Sequence, residues 1–195
     1  MRTMPKFRSL LLMGVLGCLL PCLGRAHDTN PPLTRLEAFE AQTGTVIIKG
    51  TGQIGALSAS TASVSVRCRE SIDFRTGRRE YGVLIVIKEG NRDEDTSFLD
   101  YDELDPLLAG MDYIGRADYS VTDLPTFAVG YTTRDQLKIS VYSSNKNPGT
   151  IQPTLQTRRE ERVRVLLAAE QLAQLRTLIH QAKGKLDSLR ASRPM

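Results

Sequence analysis

The chain has no tryptophan, two histidines and three cysteines, and only 6% of its 195 residues are aromatic. Each shortage narrows the chemistry. With His27 and His180 alone, neither an H-E-x-x-H zinc helix nor a Cys-His pair with a supporting motif can be assembled. No G-x-S-x-G elbow is present to carry a serine nucleophile. Cys18 and Cys22 lie in an apolar leader, so only Cys68 belongs to the rest of the chain and no internal disulfide can form there. Nor is there an apolar run of the ~20 residues that a spanning helix requires.

What stands at the start is an address. Arg2, Lys6 and Arg8 precede an apolar stretch over residues 9–23, and Gly24 and Ala26 place small residues at the −3 and −1 positions of a cut after Ala26. This is the pattern of a secretory signal peptide over residues 1–26. A second reading lies inside it: residues 15–18 resemble a lipobox, which would make Cys18 a lipidated N-terminus and tether the protein to a membrane. Leu16 and the apolar residues after Cys18 favour simple cleavage and a periplasmic or secreted protein that is not integral to the membrane.

Cleavage there changes the charge. The whole chain is +4, but the leader holds four basic residues and no acidic one, leaving 22 of each sign over residues 27–195. That removes the general electrostatic case for nucleic-acid binding. Charge is nonetheless split along the chain, with −7 over residues 27–133 and +7 over residues 134–195. Either the two halves attract each other, or the second half offers a basic patch to an anionic envelope component.

Hydrophobic periodicity sets the fold class. After a lead-in over residues 27–44, in which Thr34 and Glu37 form a capping-box pair for a short helix or else begin a strand, strands are expected at 45–49, 54–58, 63–74, 81–89 and 97–99. The glycines at 50, 52 and 55 are expected to turn the chain between the first two. The continuous run Val83, Leu84, Ile85, Val86, Ile87 marks a strand covered on both faces. Leu104, Leu107, Leu108 and Met111 then switch to helical spacing, with Asp100 or Asp102 as the cap and Gly115 as the stop. A second series follows: Phe127/Val129/Tyr131, Leu137/Ile139/Val141, residues 151–157 and Val163/Val165/Leu167. Pro153 should confine its strand to a sheet edge, and residues 145–149 should turn. A last helix from Ala168 carries Leu172, Leu175, Ile179, Ala182, Leu186 and Leu189 in one stripe. It falls short of about three heptads and is expected to pack on the sheet.

Phe98, Leu99, Leu104, Leu107 and Met111 repeat at an offset of 68 as Leu166, Leu167, Leu172, Leu175 and Ile179. The chain is therefore read as α+β, an antiparallel sheet built from two similar strand groups, residues 45–116 and 117–195, each followed by an amphipathic helix and packed as one domain. The element order resembles the duplicated β-β-β-β-α halves of the Whirly and PUR nucleic-acid-binding folds; no binding residue carries over. The segments 98–108 and 171–179 also resemble a set of uncharacterised exported bacterial proteins, a likeness that implies no activity.

Several motifs compete with simpler readings. Gly50-x-Gly52-x-x-Gly55 after a strand matches a dinucleotide fingerprint, and Glu70 falls at the ribose-binding distance, but residues 56–63 lack the helix that would face a pyrophosphate. Asn91, Asp93 and Asp95 have calcium-loop spacing without its glycine and glutamate; the alternative is a solvated hairpin tip. His27, freed by cleavage, offers amine and imidazole to copper if His180 is brought near. Cys68 is a reactive thiol or, since it alternates with Val64 and Val66, a core one. Glu70 shares that phase: it points inward, or a bulge or strand end releases it. Tyr131 and Tyr142 are the candidates for stacking on single-stranded nucleic acid.

The leading expectation is a non-catalytic exported module that binds a partner or contributes to envelope structure, with no cofactor. The alternatives are a small exported enzyme using acidic residues or a metal, and a single-strand nucleic-acid binder.

Overall fold

The structure, a computed structural model, describes residues 34–59, 62–143, 149–157 and 164–192. Four antiparallel strands, β1 (Ile47–Ser58), β2 (Ala62–Asp73), β3 (Arg79–Glu89) and β4 (Asp95–Asp100), form one sheet in sequence order. A second sheet repeats the pattern with β5 (Ala128–Thr132), β6 (Lys138–Ser143), β7 (Ile151–Gln156) and β8 (Arg164–Leu166). A helix follows each: α2 (Leu104–Ile114), entered through a single 3-10 turn over Tyr101–Glu103, and α3 (Ala169–Ala191). The α+β class with two similar strand–helix halves is thus as the periodicity implied. The described residues all fall within one compact unit, Pro31–Met195. None of the helices among them is long and apolar enough to cross a membrane.

Residues 34–40 form a helix rather than a strand. In α1 (Arg35–Glu40), the Thr34 hydroxyl accepts from Glu37 N at 3.1 Å and Glu37 Oε2 accepts from Thr34 N at 3.3 Å, which satisfies two otherwise orphaned donors. The helix buries Leu36 against Leu84 and Val86 on one face of β3. Val83, Ile85 and Ile87 alternate with these residues and face the main core on the other side. Burial on both faces accounts for the unbroken apolar run of this strand.

The two halves are interlocked. α2 packs on β5 and β6, whereas α3 lies chiefly across β1, β2 and β3, so each helix covers the sheet of the other half. The matched positions Leu99/Leu167, Leu104/Leu172, Leu107/Leu175 and Met111/Ile179 are all buried in one continuous core. Each such side chain contributes about 1.5–3 kcal/mol over remaining exposed. At the end of the β1–β2 pair, Val46, Ile48 and Phe74 are exposed.

Two strand expectations are corrected. The glycines at 50, 52 and 55 do not turn the chain. β1 runs straight through them, with its pairing to β2 shifted by a bulge between Gln53 and Gly55. Their lack of a side chain serves close approach instead. A Cβ on Gly55 would strike Leu178 of α3, and one on Gly52 would lie 2.9 Å from Cys68 Sγ. Pro153 is not on an edge strand either, since β7 pairs with both β6 and β8. Pro153 sits just beyond the last β8 pair, where Leu167 N donates to its carbonyl at 3.0 Å. The return donor that proline lacks comes from the neighbouring side chain: Gln152 Nε2 lies 2.9 Å from Leu167 O.

The turn expected at 145–149 and Val163 of the last strand fall outside the described residues, apart from Gly149. Of that strand, Val165 and Leu167 are buried while Arg164 and Leu166 are exposed, as alternation requires.

Candidate functional site

The residues singled out by sequence are scattered. Asn91 and Asp93 are exposed between β3 and β4, whereas Asp95 begins β4 and is buried. His180 is exposed on α3, and His27 lies outside the described residues. Among the described residues, no group of three or more His, Cys, Asp and Glu side chains is placed to hold a metal ion. Cys68 is a buried core thiol whose Sγ donates to Gly52 O at 3.4 Å. Gly50, Gly52 and Gly55 stand inside a strand, with no helix N-terminus behind them to receive a phosphate. Tyr131 and Tyr142 are half-buried; the first packs beside Gly110 of α2 and the second lies under the Arg164 guanidinium at 6.0 Å.

Glu70 also needs correcting. The pairing of β2 with β3 is continuous past it, so no bulge in β2 releases it, and its side chain is only 15% exposed. It keeps the core phase and is held by Arg79 Nη1 at 2.5 Å and the Tyr81 hydroxyl at 3.2 Å. Burial, then the charge of Glu70, pushes the Tyr81 hydroxyl above its ordinary range. The carboxylate is thus fixed in place by an arginine and a tyrosine of the neighbouring strand.

A denser polar cluster has no signature in the sequence beyond Asp100 as a helix cap. Asp100 is fully buried at the end of β4. Its Oδ1 accepts from Leu36 N at 3.0 Å, and its Oδ2 accepts from Arg35 N at 3.0 Å and Arg134 Nη1 at 2.9 Å. Glu103, also buried, accepts from Asp100 N at 3.1 Å and Arg134 N at 2.7 Å. Asp135 accepts from Phe98 N at 2.8 Å. Arg134 completes a two-pronged bond to Asp102 at 2.8 and 3.0 Å, and these acids hold its guanidinium firmly charged. The cluster ties α1, the end of β4 and the β5–β6 turn together. Because these buried carboxylates accept from main-chain donors, with Arg134 and Arg35 facing Asp100, the arrangement holds structure in place.

The split of charge along the chain has a structural use. Arg134 with Asp100 and Asp102, Arg176 with Asp112 and Lys183 with Asp105 join bases of the second half to acids of the first. This is the mutual attraction that the sequence allowed.

A concave surface lies elsewhere. A groove of about 520 Å³ opens between the C-terminal end of α2, the N-terminal end of α3 and strands β6 and β7. Buried Met111, Ile114, Val141, Pro153 and Leu172 form its floor, and half-buried Ile151 with Ala117, Ala169 and Ala173 its accessible apolar wall. Its charged members are Asp112, Arg116 and Arg176. Arg176 binds Asp112 through Nε–Oδ1 and Nη2–Oδ2, both at 2.9 Å, which holds the carboxyl of Asp112 below the usual range. Arg116 Nε donates to the main-chain oxygen of Asp112 at 3.0 Å. The volume falls in the range of roughly 300–1,000 Å³ typical of small-ligand clefts. No motif could have revealed it, because four elements far apart in sequence build it.

Comparison with protein-family models finds no match for the chain, and comparison with curated proteins finds none.

Proposed function

We propose that this chain is an exported, non-catalytic binding module that holds a small ligand in the groove between α2, α3 and the second sheet. The observation that carries the reading is the make-up of that groove. It is concave and apolar, and its one carboxylate, Asp112, is already bound by Arg176. A hydrolytic site needs convergent ionisable groups free to exchange protons, whereas a binding cleft needs apolar walls and few polar contacts. The buried carboxylates at Asp100, Glu103 and Asp135 support it too, since each accepts a main-chain hydrogen bond. Export rests on the basic, apolar and small-residue order of residues 1–26.

The test is intact and native mass spectrometry on the protein from fractionated native cells. The expected species is soluble, begins at His27 and carries a non-covalent small-molecule mass. An uncut chain in the cytoplasm, or a membrane species beginning at an acylated Cys18, overturns the soluble exported assignment. Turnover of a substrate that survives a bulky replacement at Ala173 in the groove mouth overturns the binding one.

A further inference from the structure

We infer that the groove takes a free amphiphile with an anionic head, a single-chain carboxylate, with its apolar tail along Ile151, Ala117, Ala169 and Ala173 and its head beside Arg116. This rests on the reading of the groove as a binding site and adds the ligand class. The walls supply the first half of the argument. Ile151, Ala117, Ala169 and Ala173 make the accessible wall of this groove of about 520 Å³, over a floor of buried Met111, Ile114, Val141 and Leu172, and favour a hydrocarbon body over a polar one.

The rim supplies the second half. Asp112, Arg116 and Arg176 together leave one positive charge in excess. Arg176 is committed to Asp112 by two bonds, but Arg116 spends only its Nε, on a main-chain oxygen, and makes no ion pair among the described residues. Its exposed guanidinium therefore keeps donors for a carboxylate. The N-terminal end of α3 reinforces the sign. Ala169 lines the groove, and Ala168 before it offers no side-chain cap to the first-turn N–H groups of a 23-residue helix. Glu170, in the same turn, is exposed and is not part of the lining. An anionic head gains from all of these; a cationic one of equal tail length is repelled by the excess charge.

The experiment is isothermal titration of the purified full chain with dodecanoate and with dodecyltrimethylammonium, both below their micellar concentrations. The same titrations are run on Arg116→Gln and Ala173→Phe. Both residues are exposed, and thermal melts verify that the variants stay folded. The expected result is one dodecanoate site, weakened about tenfold by Arg116→Gln through loss of a charged hydrogen bond. Dodecyltrimethylammonium should bind at least about tenfold more weakly than dodecanoate, and Ala173→Phe should abolish both. Equal binding of the two amphiphiles, unchanged in Arg116→Gln but lost in Ala173→Phe, overturns the anionic-head inference and leaves the groove as a binding site. No binding of either, or binding indifferent to Ala173→Phe, overturns both.

Discussion

Asp100 and Arg134, 34 residues apart in sequence, meet through a 2.9 Å bond from Nη1 to Oδ2, and each also bonds to a third element. Asp100 accepts from two α1 amides, and the amide of Arg134 donates to Glu103. One arginine of the second half is thus fixed to the junction of α1 and β4 in the first. Asp100→Ala leaves the Arg35 and Leu36 amides without their acceptor at a buried position and takes from Arg134 one of its three carboxylate bonds. It should lower stability by about 2–4 kcal/mol. Arg92→Ala, which breaks only the exposed pair with Glu89, should cost no more than about 1 kcal/mol. Urea unfolding of the two variants compares them directly; equal losses would refute a keystone role for Asp100.

The same cluster sets a pH dependence. The Arg134 hydrogen bond, with the charge of Arg35 adding to it, holds the carboxyl of Asp102 below its ordinary value of 3.8 against the opposing effect of burial. Asp187, bonded to the Tyr101 hydroxyl and Lys183, is lowered too. A carboxyl depressed in the folded state binds protons more readily when unfolded. Its stabilisation is therefore complete above the unfolded value and is lost as pH falls through the folded one. Glu80, raised by burial, works in the opposite sense. The net expectation is a falling urea midpoint from about pH 5 to about pH 3. Arg134→Gln, with less to lose on protonation of Asp102, should show a flatter fall. An identical slope in the variant would exclude Arg134 as the cause.

Two glycines should respond in opposite directions to alanine. Gly82 is buried in β3, where a Cβ would collide with the main-chain oxygen of Leu99 and come within 2.8 Å of Leu36 Cδ2. Backbone cannot yield as a flexible side chain does, so Gly82→Ala should cost about 1–3 kcal/mol. Gly184 lies inside α3, and a methyl group added there would meet nothing within 4 Å. Gly184→Ala should therefore add about 0.5–1 kcal/mol by removing backbone freedom from the unfolded chain. Thermal melts that shift the same way for both would defeat the distinction.

Legibility followed locality. The Thr34/Glu37 box, the two-faced run of β3 and the α3 stripe are written within a few residues and appear as read. The glycines of β1 look like a turn because spacing alone does not show Leu178, which approaches Gly55 from the far end of the chain. Asp100 reads as a helix cap, but nothing near it in sequence announces Arg134. The crossing of the two helices onto each other's sheets is likewise a long-range choice made by packing. So is the groove, whose walls come from α2, α3, β6 and β7. Periodicity gives which face of an element is apolar, not which apolar face it meets.

Pro153 in an interior strand is the sharpest instance, and it can be tested as a pair. At this position the ladder needs a donor to Leu167 O, and Gln152 Nε2 provides it at 2.9 Å while also reaching Pro153 O at 3.2 Å. Gln152→Ala should therefore cost about 1 kcal/mol by leaving the Leu167 carbonyl without that donor. Pro153→Val restores a main-chain N–H facing the same carbonyl. In that background the loss of Gln152 should cost markedly less, giving a coupling of about 0.5–1 kcal/mol in a double-mutant cycle. Additive effects would mean that Gln152 and the missing proline donor serve different acceptors, and that β7 tolerates its proline for a reason other than side-chain substitution of the ladder bond.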